Sequence, residues 1–165
     1  MDNGRLFRIV DEFGIEDQLN ISPTNTGLGV FTTRPYPRTA VIGEITGQVS
    51  RHNPTSTNYT FDLEDGVQLE PAEPFRYVNH SCDPNCEFDW QEDSSGDPLL
   101  RRLWLVALRD LHAGEQLTIH YNWPAEHAMR CDCRSPLCVG WIVDPTQLAA
   151  VELSLVPRNP SASTA

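Results

Sequence analysis

Short apolar runs separated by turn-forming residues dominate the hydrophobic pattern of the chain. β-branched and aromatic residues are frequent in these runs, which is typical of β-strands, and no stretch carries an apolar period of 3.6 over about a dozen residues. Thirteen prolines and ten glycines punctuate the chain. The pattern predicts a mostly β protein with short strands. These strands are predicted at residues 28–32, 40–46, 59–63, 86–90, 103–108 and 116–121.

Two connecting segments carry further structural predictions. Residues 93–98, DSSGDP, are rich in turn formers, and they lie between the apolar runs that end at Trp90 and begin at Leu103. They are therefore predicted to form the tip of a β-hairpin. Residues 147–155 form a short apolar segment that is compatible with either a closing helix or a strand.

The length of 165 residues predicts one domain. Residues 1–20 are interpreted as an N-terminal extension, and residues 157–165, PRNPSASTA, as a disordered tail. The acidic N-terminus lacks the apolar segment of a signal peptide, and no apolar run approaches the roughly 18 residues of a membrane span. We expect an intracellular protein, cytoplasmic or nuclear, that is monomeric and does not contact membranes.

Five cysteines fall into two groups, and their number leaves one unpaired in any set of disulfides. Without a secretory signal, reduced thiols are expected. Cys131, Cys133 and Cys138 have CxCx4C spacing, so they need a fourth ligand for a closed tetrahedral zinc site. Either Cys82 or Cys86 can supply it. The alternative is a set of buried cysteines that bind no metal.

Two further motifs carry polar or backbone groups suited to a ligand. Asn79 and His80 lie in RYVNHSCDPNC, and so many polar groups in a short segment are costly to bury without partners. These two side chains could bind a ligand or satisfy a loop backbone. Gly27 and Gly29 in TGLGVF allow a close approach to the backbone, although a GxG of this kind also occurs in plain turns.

These motifs, with EQLTIHY at residues 115–121, resemble the SET-domain family of protein lysine methyltransferases in their order over residues 21–142. The resemblance implies a mostly β fold of short strands in small sheets, with a C-terminal pseudoknot and a zinc-bound post-SET tail. It places the SET domain at residues 21–123 and the post-SET zinc segment at residues 129–143.

The resemblance also implies roles for individual residues. Tyr121 matches the catalytic tyrosine of the family, and Tyr59 resembles a second tyrosine that shapes the lysine channel, although Tyr59 could equally be a half-buried strand residue. One structural zinc would be held by Cys82, Cys131, Cys133 and Cys138, which leaves Cys86 as a buried spare. The residues expected to bind S-adenosylmethionine are Gly27, Leu28, Gly29, Asn79, His80 and Tyr121.

Ile119 departs from the family motif, which usually carries phenylalanine or tyrosine at this position. Isoleucine is smaller than either ring and has no hydroxyl to hold a water where a further methyl group must go. We therefore expect di- or trimethylation of lysine, unless another aromatic side chain such as Tyr77 or Trp123 fills the space.

The net charge of -11 opposes binding to nucleic acid, for which a basic surface is expected. It can reflect solubility alone, or it can attract a basic, lysine-containing protein substrate. All twelve basic residues are arginine. The enzyme therefore offers no internal lysine as a target, although a bias toward arginine codons explains this composition equally well.

Two other functional classes are compatible with parts of the sequence. The first is a catalytically inactive SET-like module that keeps the zinc and binds partner proteins, but the presence of Asn79, His80 and Tyr121 argues against it. The second is a zinc-ribbon nucleic-acid binder, which conflicts with the acidic charge. Enzymatic methyl transfer is the preferred hypothesis.

Overall fold

The structure, a computed structural model, describes residues 18–51, 59–63 and 66–154. The predicted tail at residues 157–165 lies outside the described residues, as does most of the predicted N-terminal extension. Short strands predominate, which confirms the mostly β fold class. These strands are β1 Leu19–Thr24, β2 Gly27–Thr32, β3 Val41–Ile45, β4 Gly47–Ser50, β5 Phe61–Asp62, β6 Gln68–Pro71, β7 Asn79–His80, β8 Cys86–Gln91, β9 Arg102–Ala107, β10 Thr118–Ile119, β11 Met129–Arg130 and β12 Trp141–Ile142.

The chain folds into two compact units, each made from separate parts of the sequence. Among the described residues, the first unit comprises those up to Asn79 together with Pro84–Ile119, and the second comprises His80–Asp83 and those from His120 onward. The first unit contains three small antiparallel sheets: β1 with β2, β9 between β3 and β8, and β6 between β4 and β5.

The β8–β9 hairpin confirms the predicted turn at residues 93–98. Its register runs from the pair Cys86 and Ala107 to the pair Gln91 and Arg102, so the intervening segment closes the hairpin. Within that segment the side chain of Asp97 accepts a hydrogen bond from the amide of Leu99 at 3.0 Å. This contact begins a short 3-10 turn, because a side-chain oxygen satisfies an amide that has no partner within the turn.

The core of the first unit lies against β9 and the segments that follow it. Burial alternates over residues 102–105 of β9, where Leu103 and Leu105 are buried, and Val106 and Ala107 at the end of this central strand are buried on both faces. Tyr36 is 1% exposed, and its hydroxyl donates to Oε1 of Gln18 at 2.9 Å, so the buried polar atom has a partner. Other side chains that are almost completely buried in this unit are Val30, Leu111, Leu117 and Ile119.

Two predicted strands are shorter in the structure than the sequence pattern suggests. The run at residues 59–63 contains only β5, and the run at 116–121 contains only β10. The residues just before β10 pair with β2 instead, because the amide of Leu117 donates to the carbonyl oxygen of Val30 at 2.7 Å and Gln116 forms a bridge with Phe31. Within β10, the amide of Thr118 donates to Oδ1 of Asn85 at 2.8 Å.

The second unit contains one antiparallel strand pair and the only α-helix among the described residues. In the pair β11–β12, Met129 lies opposite Ile142 and Arg130 opposite Trp141. Helix α1, Leu148–Ser154, decides between the two forms predicted for residues 147–155. Across residues 18–51, 59–63 and 66–154, no helix is long and apolar enough to cross a membrane.

Candidate functional site

The glycine-rich start of β2 lies beside Asn79 in the first unit. Gly27 has a φ of +113°, which L side chains rarely adopt. A Cβ atom on Gly29 would lie 2.6 Å from Nε2 of Gln116 and 3.1 Å from Nδ2 of Asn79. The same Nδ2 donates to the carbonyl oxygen of Leu28 at 2.9 Å. The missing side chain at Gly29 therefore allows the Asn79 amide to pack against β2.

Tyr59 also belongs to the first unit and lies just before β5 rather than within it. Its side chain is 42% exposed, so it is not a core residue. The ring makes an edge-to-face contact with Tyr77, with centroids 6.3 Å apart and an interplanar angle of 82°. Tyr59 therefore presents an aromatic surface to solvent from an irregular segment.

Four cysteine side chains meet in the second unit. The Sγ atoms of Cys82, Cys131, Cys133 and Cys138 all lie within 4.8 Å of one another. The Sγ of Cys82 is 3.7 Å from that of Cys131 and 3.9 Å from that of Cys138. Four thiolates at about 2.3 Å from a tetrahedral zinc are about 3.8 Å apart, so this donor set fits zinc. Cys86 is instead 1% exposed in β8 of the first unit.

The thiols of Cys82, Cys131 and Cys133 differ in how readily they lose a proton. Burial raises the pKa of Cys82 and of Cys131. Burial also acts to raise the pKa of Cys133, but the backbone amides of Cys82 and Ser135 outweigh it and hold this pKa at about 7. Because metals bind the thiolate form, Cys133 offers a ready ligand at neutral pH, and metal binding would release protons from Cys82 and Cys131.

His80 is hydrogen bonded through both ring nitrogens in the second unit. The amide of Tyr121 donates to Nδ1 at 3.3 Å, which assigns the ring proton to Nε2. Nε2 lies 3.4 Å from Sγ of Cys82 and can donate to a thiolate there. Burial, followed by the nearby His120, lowers the pKa of His80 to about 4. The ring is therefore neutral at physiological pH.

The ring of Tyr121 contacts two other aromatic rings. Its centroid lies 5.4 Å from that of His80 and 5.4 Å from that of Trp123. The carbonyl oxygen of Trp123 accepts a hydrogen bond from the amide of Asp144 at 2.6 Å. The tyrosine is thus held within the second unit by contacts with two rings and by a backbone contact two residues later.

Comparison with known protein families decides which family these motifs represent. The model of the SET domain matches residues 27–122, more than half of the chain. The chain belongs to the SET-domain family. The match includes the glycine segment of β2, the Asn79-His80 pair and Tyr121.

Sequence relatives of this SET domain include histone-lysine N-methyltransferases. One is ash1 of Drosophila melanogaster, 32% identical over 149 residues, which cover 76% of this chain and 6% of the relative. Another is the H3 lysine-36 specific enzyme of Mycosarcoma maydis, 40% identical over 139 residues, which cover 73% of this chain and 14% of the relative. The chain therefore spans a small part of these relatives.

A solved structure has the same fold as this SET-domain protein. It is KRYPTONITE in complex with mCHH DNA, an H3(1-15) peptide and SAH, with a TM-score of 0.67 and 21% sequence identity. The match covers 75% of this chain and 29% of that one. At 21% identity, this likeness is evidence for the fold alone.

Asn85 is a central residue of the SET domain that the sequence analysis did not single out. It is 3% exposed in the first unit. Its Nδ2 donates to the carbonyl oxygen of Gln116 at 2.7 Å and to Oε1 of Glu115 at 3.2 Å, while its Oδ1 accepts from the amide of Thr118. Asn85 thereby fixes the segment that leads into β10.

We expect Asn85→Ala to lower the free energy of unfolding by about 2–4 kcal/mol, because it leaves buried groups of Gln116 and Thr118 without partners. Urea denaturation would measure the change. Asn20→Ala is a matched control, since it removes an exposed amide that donates to Ser22, and it should cost less than about 0.5 kcal/mol. Equal effects of the two substitutions would contradict the role given to Asn85.

Glu115 is held as a carboxylate by several donors in the first unit. Burial alone would raise its pKa, but an ion pair with Arg109 and hydrogen bonds from the amide of His112 and from Asn85 lower it to about 2. The side chain is 23% exposed. Glu115 is thus a partly enclosed carboxylate with an ion pair and two hydrogen bonds, and not an exposed carboxylate in a turn.

We expect Glu115 to make the stability of the protein pH-dependent. A lowered folded-state pKa stabilises the fold above pH about 4.5, and this contribution is lost as the pH falls toward 2. Glu115→Gln should therefore cost about 1–3 kcal/mol at pH 7 and about half of that or less at pH 3. Urea denaturation across this range would measure the free energy of unfolding of wild type and variant.

Glu92→Gln is a control, because it removes a half-exposed ion pair with Arg101, and its cost should depend less on pH. A cost of Glu115→Gln that does not change with pH would contradict the role given to Glu115.

Proposed function

We propose that this SET domain transfers methyl groups from S-adenosylmethionine to the side-chain amine of lysine in a basic protein. Family membership carries the proposal, because the matched residues 27–122 include every residue predicted to bind the cofactor or to act on the amine. The relatives are named histone-lysine N-methyltransferases, so histone H3 is the first substrate to test. Such a substrate would place the protein inside the cell.

The acidic charge of the chain is consistent with this substrate class. A net charge of -11 attracts a lysine-rich protein and raises the rate of encounter at low ionic strength. The chain contains no lysine that could compete for the same channel. Electrostatic attraction would guide a histone tail, while the contacts around the target lysine would set the specificity.

S-adenosylmethionine supplies the methyl group as a positively charged sulfonium. In the first unit, a Cβ on Gly27 would meet nothing within 4 Å, so the backbone at Gly27 is open to a ligand, whereas the space beside Gly29 is filled by Asn79 and Gln116. The Asn79 amide beside it can position a polar group of the cofactor. His80 and Tyr121 complete the proposed set. The SAH present in the KRYPTONITE structure supports this choice of cofactor.

The chain's own task in this reaction is to align a neutral amine for direct displacement. The bond from nitrogen to the methyl carbon forms as the bond from that carbon to sulfur breaks, and the sulfur keeps the electron pair. Lysine has a reference pKa of about 10.4, which a dry channel beside a positive charge lowers, so that the proton leaves to water. The Tyr121 hydroxyl can then orient the amine.

We assign one structural zinc to Cys82, Cys131, Cys133 and Cys138. Four thiolates complete a tetrahedral site and leave no position for a reactive water. The Nε2 of His80 would donate to the Cys82 ligand, as outer contacts commonly do to orient metal ligands. Because Nδ1 of the same ring accepts from the Tyr121 amide, zinc binding and placement of the tyrosine would be linked through one imidazole.

We expect the enzyme to form dimethyl- or trimethyllysine, because Ile119 leaves room where the family motif usually has an aromatic ring. Ile119 is 1% exposed at the end of β10. Mass spectrometry of a single-lysine peptide after many turnovers would identify the products. Exclusive monomethylation that is unchanged in Ile119→Ala would show that this position does not set the product.

Equilibrium binding of labelled S-adenosylmethionine separates the proposed enzyme from an inactive SET-like scaffold. The wild-type protein should bind the cofactor in a 1:1 complex, and Asn79→Ala should weaken binding because it removes the amide beside β2. Asn20→Ala serves as a control with the same change at an exposed site of β1. Failure of the folded, zinc-loaded protein to bind the cofactor would favour the scaffold.

A further inference from the structure

A guanidinium group lies against two tyrosine rings in the first unit. Arg76, in the 3-10 turn Phe75–Tyr77, places its guanidinium carbon 4.8 Å from the centroid of the Tyr59 ring and 5.7 Å from that of Tyr77. The two rings meet edge to face. Both distances lie within the range at which a cation is attracted to the face of an aromatic ring.

The arginine is held on its other side by a carboxylate. Nη2 of Arg76 lies 3.6 Å from Oε1 of Glu70 in the central strand β6. The second oxygen of Glu70 accepts a hydrogen bond from the hydroxyl of Thr60, the residue next to Tyr59, at 2.7 Å. The contacts therefore form a closed circuit from Tyr59 through Arg76 and Glu70 back to the chain beside Tyr59.

The position of Arg76 leaves one of its nitrogens unsatisfied. Its Nε is buried and has no hydrogen-bond partner within the described part of the chain. A buried donor without a partner is unfavourable. A half-exposed arginine could avoid this cost by adopting a rotamer that exposes Nε to water. The contacts with the two rings and with Glu70 therefore hold the side chain where one of its donors is not used.

Tyr77 is restrained separately at its hydroxyl. This group donates to Oε1 of Glu73 at 2.9 Å, and the same bond is the main reason that the pKa of Tyr77 is raised above its ordinary value. The ring of Tyr77 is thus anchored at both its edge and its hydroxyl. It gives Tyr59 and Arg76 a fixed surface to pack against.

We infer that Arg76 is a positioning residue, whose planar guanidinium fixes the ring of Tyr59 as a wall of the lysine channel. The inference rests on the proposed methyltransferase function, which gives Tyr59 that place. Without the stack, a ring that is 42% exposed would sample other rotamers, and the target amine would be held less often in line for transfer. Arg76 acts through Tyr59 and need not touch the substrate.

The first test is a double-mutant cycle on kcat. Arg76→Lys keeps the positive charge but cannot present a plane to two rings, so kcat should fall about five- to tenfold while the affinity for S-adenosylmethionine stays constant. In a Tyr59→Ala background, the same change should have less than about a twofold effect, because the ring on which it acts is gone. Equal effects in both backgrounds would overturn the inference.

A matched control exists elsewhere in the same unit. Arg102 lies over the ring of Trp104 at 4.6 Å and pairs with Glu44, so it makes the same two kinds of contact as Arg76. Arg102→Lys should leave kcat within about twofold of the wild type. A loss equal to that of Arg76→Lys would show that the effect is not specific to the tyrosine pair.

A second readout does not depend on catalysis. In NMR spectra of ring-labelled tyrosine, with Tyr59 assigned from Tyr59→Phe, Arg76→Lys should shift or broaden the Tyr59 signals and Arg102→Lys should not. Unchanged Tyr59 signals would overturn the inference even in an active enzyme. If the wild type transfers no methyl group but the NMR changes occur, the contact between Arg76 and Tyr59 is confirmed and the proposed function is wrong.

Discussion

Tyr121→Phe should lower the rate of methyl transfer by about 100-fold or more, while the affinity for S-adenosylmethionine changes by less than about tenfold. The substitution removes only the hydroxyl proposed to orient the amine. The ring should keep its contacts with His80 and Trp123, so the fold and the cofactor site should be preserved. A 100-fold loss corresponds to about 2.7 kcal/mol of transition-state stabilisation.

Single-turnover transfer and equilibrium binding of the cofactor would separate these effects. Tyr36→Phe is a matched control, because it removes a tyrosine hydroxyl that is bonded to Gln18 within the core. It should reduce stability without reducing the rate of transfer by the folded protein. Wild-type turnover in Tyr121→Phe would remove this residue from the mechanism.

Cys82→Ser should abolish stable zinc binding, whereas Cys86→Ser should retain one zinc per chain. The two cysteines are four residues apart, but only Cys82 lies with the three cysteines of the tail segment. Serine cannot replace a thiolate ligand at comparable affinity, and a structural zinc contributes directly to folding. Elemental analysis of the purified, reduced variants would give the metal content.

Removal of zinc by a chelator should loosen the chain beyond Trp123. The described part of this region has short strands, short 3-10 turns and one helix of seven residues, which gives it little core of its own. Hydrogen exchange should therefore increase there, and Cys82→Ser should reproduce the pattern without chelator. Well-folded, reduced wild-type protein with no zinc would contradict the assignment.

The sequence pattern predicts those parts of the fold in which apolar runs flank a segment of turn-forming residues. The hairpin β8–β9 is an example, with its turn at residues 93–98. Strands β4 and β6 were not predicted, because β4 is mostly exposed and β6 is only four residues long. Their pairing depends on partners distant in sequence, which a local pattern does not contain.

Some parts of the candidate site can likewise be predicted from the sequence, and others cannot. Cysteine spacing predicts a metal site, but it does not decide whether Cys82 or Cys86 is the fourth ligand. The fold decides this, because Cys86 lies within β8. The contacts of Asn85 with residues about 30 positions away and the stack of Arg76 on Tyr59 have no signature in spacing. Such side-chain contacts depend on the folded positions of distant backbone segments.

The central claim is tested most directly by methyl transfer from labelled S-adenosylmethionine to a histone H3 peptide by the purified, zinc-loaded protein. We expect label on lysine, none on a peptide with arginine in place of every lysine and a blocked N-terminus, and none on side chains of the enzyme, which has no lysine. Tyr121→Phe should label the lysine-containing peptide at least about 100-fold more slowly and should not label the lysine-free one. Label on the lysine-free peptide would contradict the account. The account would also be contradicted if protein that binds the cofactor transferred no label to any of the lysine-containing histones tested.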